Sequence, residues 1–342
     1  MKKLLLIMVI MSMVIFTGCS NKMPDDYSND EMRKGNPFDY RGSDKETTVI
    51  GNFGFGPIEA LLNEGPVTFD YEGGELVMDY FVDNGMTDDA LEYGFFLFLE
   101  GIPQPFKVDD PNGEYQFFHA FNLDADEYKE FQFIFTPIFG EAGEALDINV
   151  AGIFHPSFAP DSTNTSYGHY HRMSSNIPYR LTFHENTGYI GEDAPQREKI
   201  LKNISYSEEE ISTDMRREYE QGDENRLDQI IFIELYEEGN YVQYNNNQIL
   251  ADGKEAVQLI FRGFGKEGVT YRTTFYLNHR PVDIQDHDYL EWHTIRGSIA
   301  EFKMDLDVSQ LEGINTLYSI SVPIEGEDYI LKTESILLMV DN

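Results

Sequence analysis

"VTFDYE" at residues 67–72 alternates Val67, Phe69 and Tyr71 with Thr68, Asp70 and Glu72. Side chains on a strand alternate between faces, so the stretch reads as a half-buried β-strand. The Gly73-Gly74 pair that follows is a turn signal, and "ELVMDYFVDNG" at 75–85 opens the next strand. "YGFFLFLEGIPQPF" at 93–106 is apolar almost throughout, which suits a central strand, and Glu100-Gly101-Ile102-Pro103 breaks it. "EFQFIFTPIFG" at 130–140 alternates again, and "LDINVAGIF" at 146–154 puts Leu146, Ile148 and Val150 on one face. Short strands at this spacing over residues 48–160 predict an antiparallel β-sandwich. "GNFGFGP" at 51–57 is glycine-rich but has no lysine for a phosphate loop, and is read as a turn or edge segment.

Residues 228–342 form a second strand-rich block. "IIFIELYEEGNYVQY" at 230–244 predicts a hairpin around Glu238-Gly239-Asn240, and four or more alternating segments follow it. The two blocks share an order of features. Leu99 and Leu277 each precede a proline by four residues, at Pro103 and Pro281. Further on, Leu123-Asp124 matches Leu306-Asp307, and Thr136-Pro137-Ile138 matches Val322-Pro323-Ile324. Repeated features in one order favour an internal duplication. The expected fold is therefore all-β, with two antiparallel sandwiches in tandem. The pattern is similar to tandem immunoglobulin-like or fibronectin-III-like modules of bacterial surface proteins, a likeness of fold that carries no function by itself.

Residues 161–227 are read as a connector. "DSTNTSYGHYHRMSSNIPYRLTFHENTGYIG" is rich in Tyr and His, with a strand expected at Tyr179 to His184. "SYSEEEISTDMRREYEQG" is expected to be a short helix: Ser207 and Glu210 have capping-box spacing, the first turn is acidic and Gly222 follows the end.

The amino terminus has a different character. Lys2 and Lys3 precede an apolar run from Leu4 to Phe16 broken only by Ser12, then Thr17, Gly18 and the chain's single cysteine, Cys19. This is the pattern of a secretory signal over residues 1–18, and the run is too short to span a bilayer, which takes about 20 residues. Phe16-Thr17-Gly18-Cys19 resembles the lipobox of bacterial lipoproteins, with Phe16 where the family usually has Leu. The resemblance implies cleavage before Cys19, a diacylglycerol group on its thiol, and retention in the cell membrane on the outer side. Two acyl chains make a stable anchor where one is marginal. Residues 19–47 are polar and aperiodic and are read as a flexible tether whose ends lie about 30 Å apart. A lone cysteine forms no intrachain disulfide, so stability must come from a hydrophobic core.

The formal charge of −36 argues against nucleic acid, whose affinity comes from phosphate neutralisation by Lys and Arg, and against an anionic membrane surface. With 25 Phe and 21 Tyr the chain is a folded protein and not an acidic disordered tail.

The constellations that could carry chemistry are few. In "YGHYHRM", His169 and His171 share a face if the segment is extended, as zinc or copper ligands would, with His184, His155 or Glu185 as a third ligand. Tyr167, Tyr170 and Tyr179 are candidate partner contacts or sugar platforms, or else pack the connector onto the first sandwich. Acid clusters at 109–114 and 283–288 are expected in equivalent loops and could supply oxygens to calcium. No hydrolase elbow, zinc-protease motif or dinucleotide fingerprint occurs. The expected function is a non-enzymatic, lipid-anchored extracytoplasmic protein that binds a protein or polysaccharide partner and needs no cofactor. The alternatives are capture of a cation or small ligand for a membrane system, and a cell-envelope hydrolase using paired carboxylates.

Overall fold

The computed structural model describes residues 52–340 apart from 63–66, 86–89, 162–165, 169, 177, 190, 192–193, 243–246, 286 and 325–327. Cys19, the signal segment and the tether at 19–47 lie outside the described residues, as does His169.

The first sandwich sets a four-stranded sheet against a seven-stranded one. The smaller sheet runs in the order β1 (Asn52–Pro57), β3 (Leu76–Gly85), β8 (Glu127–Phe135) and β6 (Lys107–Val108). The larger runs β2 (Thr68–Tyr71), β11 (Tyr179–Phe183), β9 (Ala145–Phe154), β4 (Leu91–Leu99) and β5 (Ile102–Pro103), with β10 (Met173–Ser175) on β9 and β7 (His119–Leu123) on β4. Period-2 alternation points Leu76, Met78, Tyr80 and Val82 of β3 at Tyr93, Phe95, Leu97 and Leu99 of β4. The Phe95 ring lies 5.5 Å from Phe55 and Phe131 and 5.6 Å from Phe133, an aromatic core across both sheets. "GNFGFGP" contributes β1, at the outer edge of the smaller sheet.

The second block forms one continuous ladder of twelve strands. Its elements are β12 (Glu198–Glu210), β13 (Ile231–Glu237), β14 (Asn240–Tyr241), β15 (Gln248–Leu250), β16 (Ala256–Gly265), β17 (Thr270–Leu277), β18 (Arg280–Ile284), β19 (Leu290–His293), β20 (Ser298–Asp307), β21 (Gly313–Pro323), β22 (Leu331–Lys332) and β23 (Ile336–Val340). The ladder folds back on itself. Phe261 of β16 and Phe275 of β17 have ring centres 6.0 Å apart, although β20, β12 and β18 separate their strands. β12 turns the corner: it pairs antiparallel with β20 and parallel with β18, with a register shift between Lys202 and Ser205.

The ladders of the first sandwich recur in the second. β1–β3–β8 corresponds to β13–β16–β20, and β5, β7 and β9 surround β4 as β18, β19 and β21 surround β17. β10 and β11 lie on β9 as β22 and β23 lie on β21, and the parallel pair β2–β11 corresponds to the parallel pair β15–β23. Among the described residues the differences are at the edges: β14 lies on β13 with no counterpart on β1, and the place of β6 on β8 is taken on β20 by β12, which also reaches β18. Leu99 and Leu277 occupy matching registers: Phe98 pairs with Pro103, and Tyr276 with Pro281. The turns between them, Glu100-Gly101 and Asn278-His279, all have positive φ (47°, 75°, 50° and 66°), the geometry of tight two-residue hairpins.

The second set of matched features is out of step. Leu123 ends β7 on the larger sheet, while Leu306 lies on β20, the counterpart of β8. The alignment slips by one strand because each Leu-Asp precedes a turn, and successive hairpins of a sandwich look alike in sequence. The connector at 161–227 also divides differently. β10 and β11 belong to the first sandwich and β12 to the second. Ser207 and Glu210 are not a helix cap but lie on β12, opposite Glu301 and Ser298. The helix there is α1 (Thr213–Tyr219), capped by the Ser212 hydroxyl accepting from the Met215 N–H. The polar run before it has no apolar stripe to support a helix, and pairing on β20 satisfies its backbone instead.

Candidate functional site

The near-continuous apolar run of β4 has a second consequence. Its inner face serves the first core, and its outer face carries Phe96 and Phe98, beside Ala151 and Ile153 of β9. These pack against Tyr276 of β17 and Tyr318, Ile320 and Val322 of β21, with the rings of Phe96 and Tyr276 4.9 Å apart. β17 and β21 are the counterparts of β4 and β9, so each sandwich offers the same face to the other, as subunits do across a two-fold axis. Both faces of these strands are dry, which is why their sequences lack alternation.

The Tyr- and His-rich segment seals the rim of this seam. Tyr167 is 1% exposed, and its hydroxyl lies 2.7 Å from Thr316 Oγ1. His171 is 2% exposed, with Nδ1 3.1 Å from Ser335 Oγ and its ring 5.5 Å from that of His279. His279 reaches the Tyr318 hydroxyl through Nδ1 (2.8 Å) and the Pro156 carbonyl through Nε2 (2.7 Å), and stacks on Phe118. Gly94 permits that stack, because a Cβ there would collide with the Phe118 ring. Lys332 donates to Ser335 Oγ (2.8 Å) and to the Thr333 carbonyl (3.0 Å). Burial, then the neighbouring His279 and Lys332, push His171 down to about 3. Burial likewise pulls Lys332 down to about 7. Bases in an apolar seam resist protonation because the charged form loses its water.

This placement corrects the partner-contact reading for Tyr167 and Tyr179, which are buried. Tyr167 is spent on the seam. Tyr179 is buried in the first core, its hydroxyl accepting from Asn176 Nδ2 at 2.6 Å. Tyr170 stacks on Phe158 at 3.9 Å. Of the residues named for a metal, His169 lies outside the described residues, His171 faces the seam, His184 pairs with Asp70 at 2.9 Å, and His155 packs edge-on against Tyr170. Among the described residues no group of three His, Cys, Asp or Glu is placed to hold a metal.

The acid loops are engaged by protein groups. Asp109 accepts from the Gln132 N–H (2.8 Å) and Asp110 from the Asn112 N–H (2.9 Å). Asp283 and Asp288 flank Arg197, at 3.9 and 3.4 Å, and its guanidinium lies over the Phe117 ring. Burial holds the Asp283 carboxyl above its ordinary value despite Arg197.

The open space lies beside these loops. A cleft of about 770 Å³ is walled by Lys107, Tyr115 and Phe117 of the first sandwich, Gln196 of the crossing segment, and Asn278 and Arg280 of the second. A second cleft of about 760 Å³, behind Pro195–Arg197, is lined in part by Phe139, Tyr189 and Lys199. Arg280 and Lys199 have no ion pair among the described residues, although the chain is strongly acidic. Concave space between two modules is a usual place for a ligand. Of the residues lining the two clefts, the sequence singles out Tyr189 and the acid clusters that hold Glu114, Asp283 and Asp288, but not the basic and aromatic walls. The one available signal was the match of Leu99 with Leu277, which sets Asn278 to Arg280 in a hairpin turn.

No protein-family model matches the chain, and no curated protein matches it. Solved structures do align. The CsuC–CsuE chaperone–tip adhesion subunit complex of Acinetobacter baumannii is 8% identical, with 85% of this chain and 100% of that one covered and a TM-score of 0.20. The Salmonella enterica SafA pilin with the SafB chaperone is 11% identical, covering 84% and 98%, at 0.24. The E. coli chaperone DraB is 12% identical, covering 85% and 97%, at 0.22. Likeness of this degree carries no function across. Among the described residues no helix is long and apolar enough to cross a membrane.

Proposed function

We propose that the chain is a lipid-anchored, extracytoplasmic, non-enzymatic binding protein that presents its paired sandwiches to a protein or polysaccharide partner. The observation that carries the binding role is the cleft of about 770 Å³ with walls from both sandwiches. A dry, self-similar seam holds those walls, so the cleft needs little ordering on binding. The anchor rests on Phe16 to Cys19 and on the signal before them. The hydrogen-bonded pair of His171 and Ser335 is sealed in the seam, which favours binding over nucleophilic chemistry there.

Two experiments test this. Cys19→Ser should move the protein from the membrane fraction to the medium, and a variant still in the membrane would refute the lipid anchor. A photo-crosslinking side chain at Gln196 or Arg280, on intact cells, should capture a discrete protein or glycan that one at Ile314 does not. Equal labelling from both places would refute the cleft as the binding site.

A further inference from the structure

The smaller sheet of the first sandwich ends in an incomplete ladder. β6 pairs with β8 through Lys107–Ile134 and Val108–Phe133 alone. The Gln132 backbone is capped by Asp109, whose N–H donates to the Gln132 carbonyl (3.1 Å) and whose side chain accepts from the Gln132 N–H (2.8 Å). Backbone direction alternates along a strand, so Glu130 and Tyr128 also turn their N–H and C=O toward that side. Neither is given a backbone partner there by any described residue.

The second sandwich shows what this position accepts. On β20, the counterpart edge is covered by Ser205 to Glu210 of β12, paired antiparallel. Tyr206 of that strand packs on Phe302, ring centres 4.9 Å apart. Phe302 corresponds to Phe131 of β8, since Phe261 pairs with Phe302 as Tyr80 pairs with Phe131.

We infer that the β8 edge between Glu127 and Phe131 is a docking site for an extended, basic segment of a partner protein, added antiparallel to the sheet. This deepens the binding role proposed above, by naming a partner class, and rests on it. The charge of the edge selects the occupant. Glu127 and Glu130 lie on it, Asp83 stands opposite Tyr128 and Asp109 caps its end, whereas Lys129 is turned over the Phe121 ring. An incoming strand would place one side chain opposite Phe131, as Tyr206 sits opposite Phe302, and cationic side chains beside Glu130. Main-chain bonds supply affinity in such strand addition, and alternate side chains supply specificity.

The test uses the full chain and two synthetic peptides, one alternating Lys with Val and Tyr, the other Glu with Val and Tyr. Amide hydrogen exchange at Tyr128 and Glu130 should slow with the basic peptide and not with the acidic one. Glu130→Pro removes the N–H that a partner would use without touching the β3 ladder, and should weaken the basic peptide at least about tenfold. Glu130→Lys should weaken it comparably and serves if the proline variant folds poorly; unchanged exchange on β4 and β9 reports the fold. Equal protection by both peptides, or none, would overturn the proposal. So would protection of both amides before peptide is added, which would mean the edge is filled from within the chain or by a second copy. If the edge fails while crosslinks at Gln196 persist, the binding role stands and only this partner class falls.

Discussion

Glu130 on β8 and Glu301 on β20 occupy the same ladder position and live in different worlds. Glu130 is exposed at an open edge, opposite Phe81. Glu301 is 1% exposed, opposite Arg262 and beside Ser207 of β12. Arg262 reaches it at 2.6 Å and Lys303 at 2.9 Å, and Arg262 lies over the Tyr236 ring. The enclosed carboxylate also has two cations that the open one lacks, since Phe81 stands where Arg262 does and Gln132 where Lys303 does. A second contrast lies in the cores. Phe95 of β4 touches four or more rings, whereas its counterpart on β17, Thr273, bonds Ser321 Oγ (2.7 Å) and accepts the Trp292 indole N–H (2.8 Å). The same set of ladders thus tolerates an aromatic centre in one sandwich and, at the matching position of the other, a polar one whose hydroxyls and indole N–H pair with one another.

The largest effect should come from Phe95→Ala, which removes the hub of the first core at a cost of about 3–5 kcal/mol. Urea unfolding should show the loss, and a cost under about 1 kcal/mol would mean the aromatic cluster does not organise that sandwich. Next is Glu301→Gln, expected to cost about 2 kcal/mol because the charge-assisted bond to Arg262 is lost while the more exposed Lys303 regains water. Glu130→Gln should stay within about 0.5 kcal/mol, and equal costs at the two positions would break the comparison. Burial works to raise the Glu301 carboxyl, yet Lys303 and Arg262 hold it below its ordinary value. A lowered carboxyl stabilises above its unfolded pKa and loses that contribution as pH falls through the folded one. The gap between wild type and Glu301→Gln should therefore close in acid.

Thr273→Val keeps the shape but leaves the Trp292 N–H buried and unpaired, for about 1–3 kcal/mol. Red-shifted Trp292 fluorescence without a loss of stability would show that water replaces the hydroxyl. The remaining effect is a slope. Lys332 is held near 7 against an ordinary 10.5, so the unfolded chain binds more protons in that window. Stability should climb with pH between them, and Lys332→Met should flatten the climb. An unchanged slope would mean that Lys332 is solvated and the seam's rim is wet. His171, held to about 3, adds a similar rise that ends near its ordinary 6.5.

Local pattern explains which elements could be foreseen. "VTFDYE" alternates because β2 faces a core on one side, and Phe69 and Tyr71 are buried as the alternation requires. The Glu238-Gly239 hairpin and the Glu100-Gly101 turn were legible because positive φ falls on short glycine-bearing stretches. β12 was not legible. Its residues from Ser205 to Glu210 are polar on both faces, and it is a strand because β20 offers a ladder to pair with. The tyrosines of 167–179 look like a contact surface in sequence, since an aromatic that seals a seam and one that meets a partner have the same composition.

The sequence by itself determined the signal and lipobox pattern, the all-β character and the first matched hairpin, because each depends on neighbours along the chain. Tertiary structure alone decided that β4 and β21 are dry on both faces and that the His-rich segment closes a seam. It also decided that Glu301 is enclosed while Glu130 is open. Burial is set by what arrives from distant parts of the chain: β12 reaches β20 from about a hundred residues upstream, and no local pattern records that arrival.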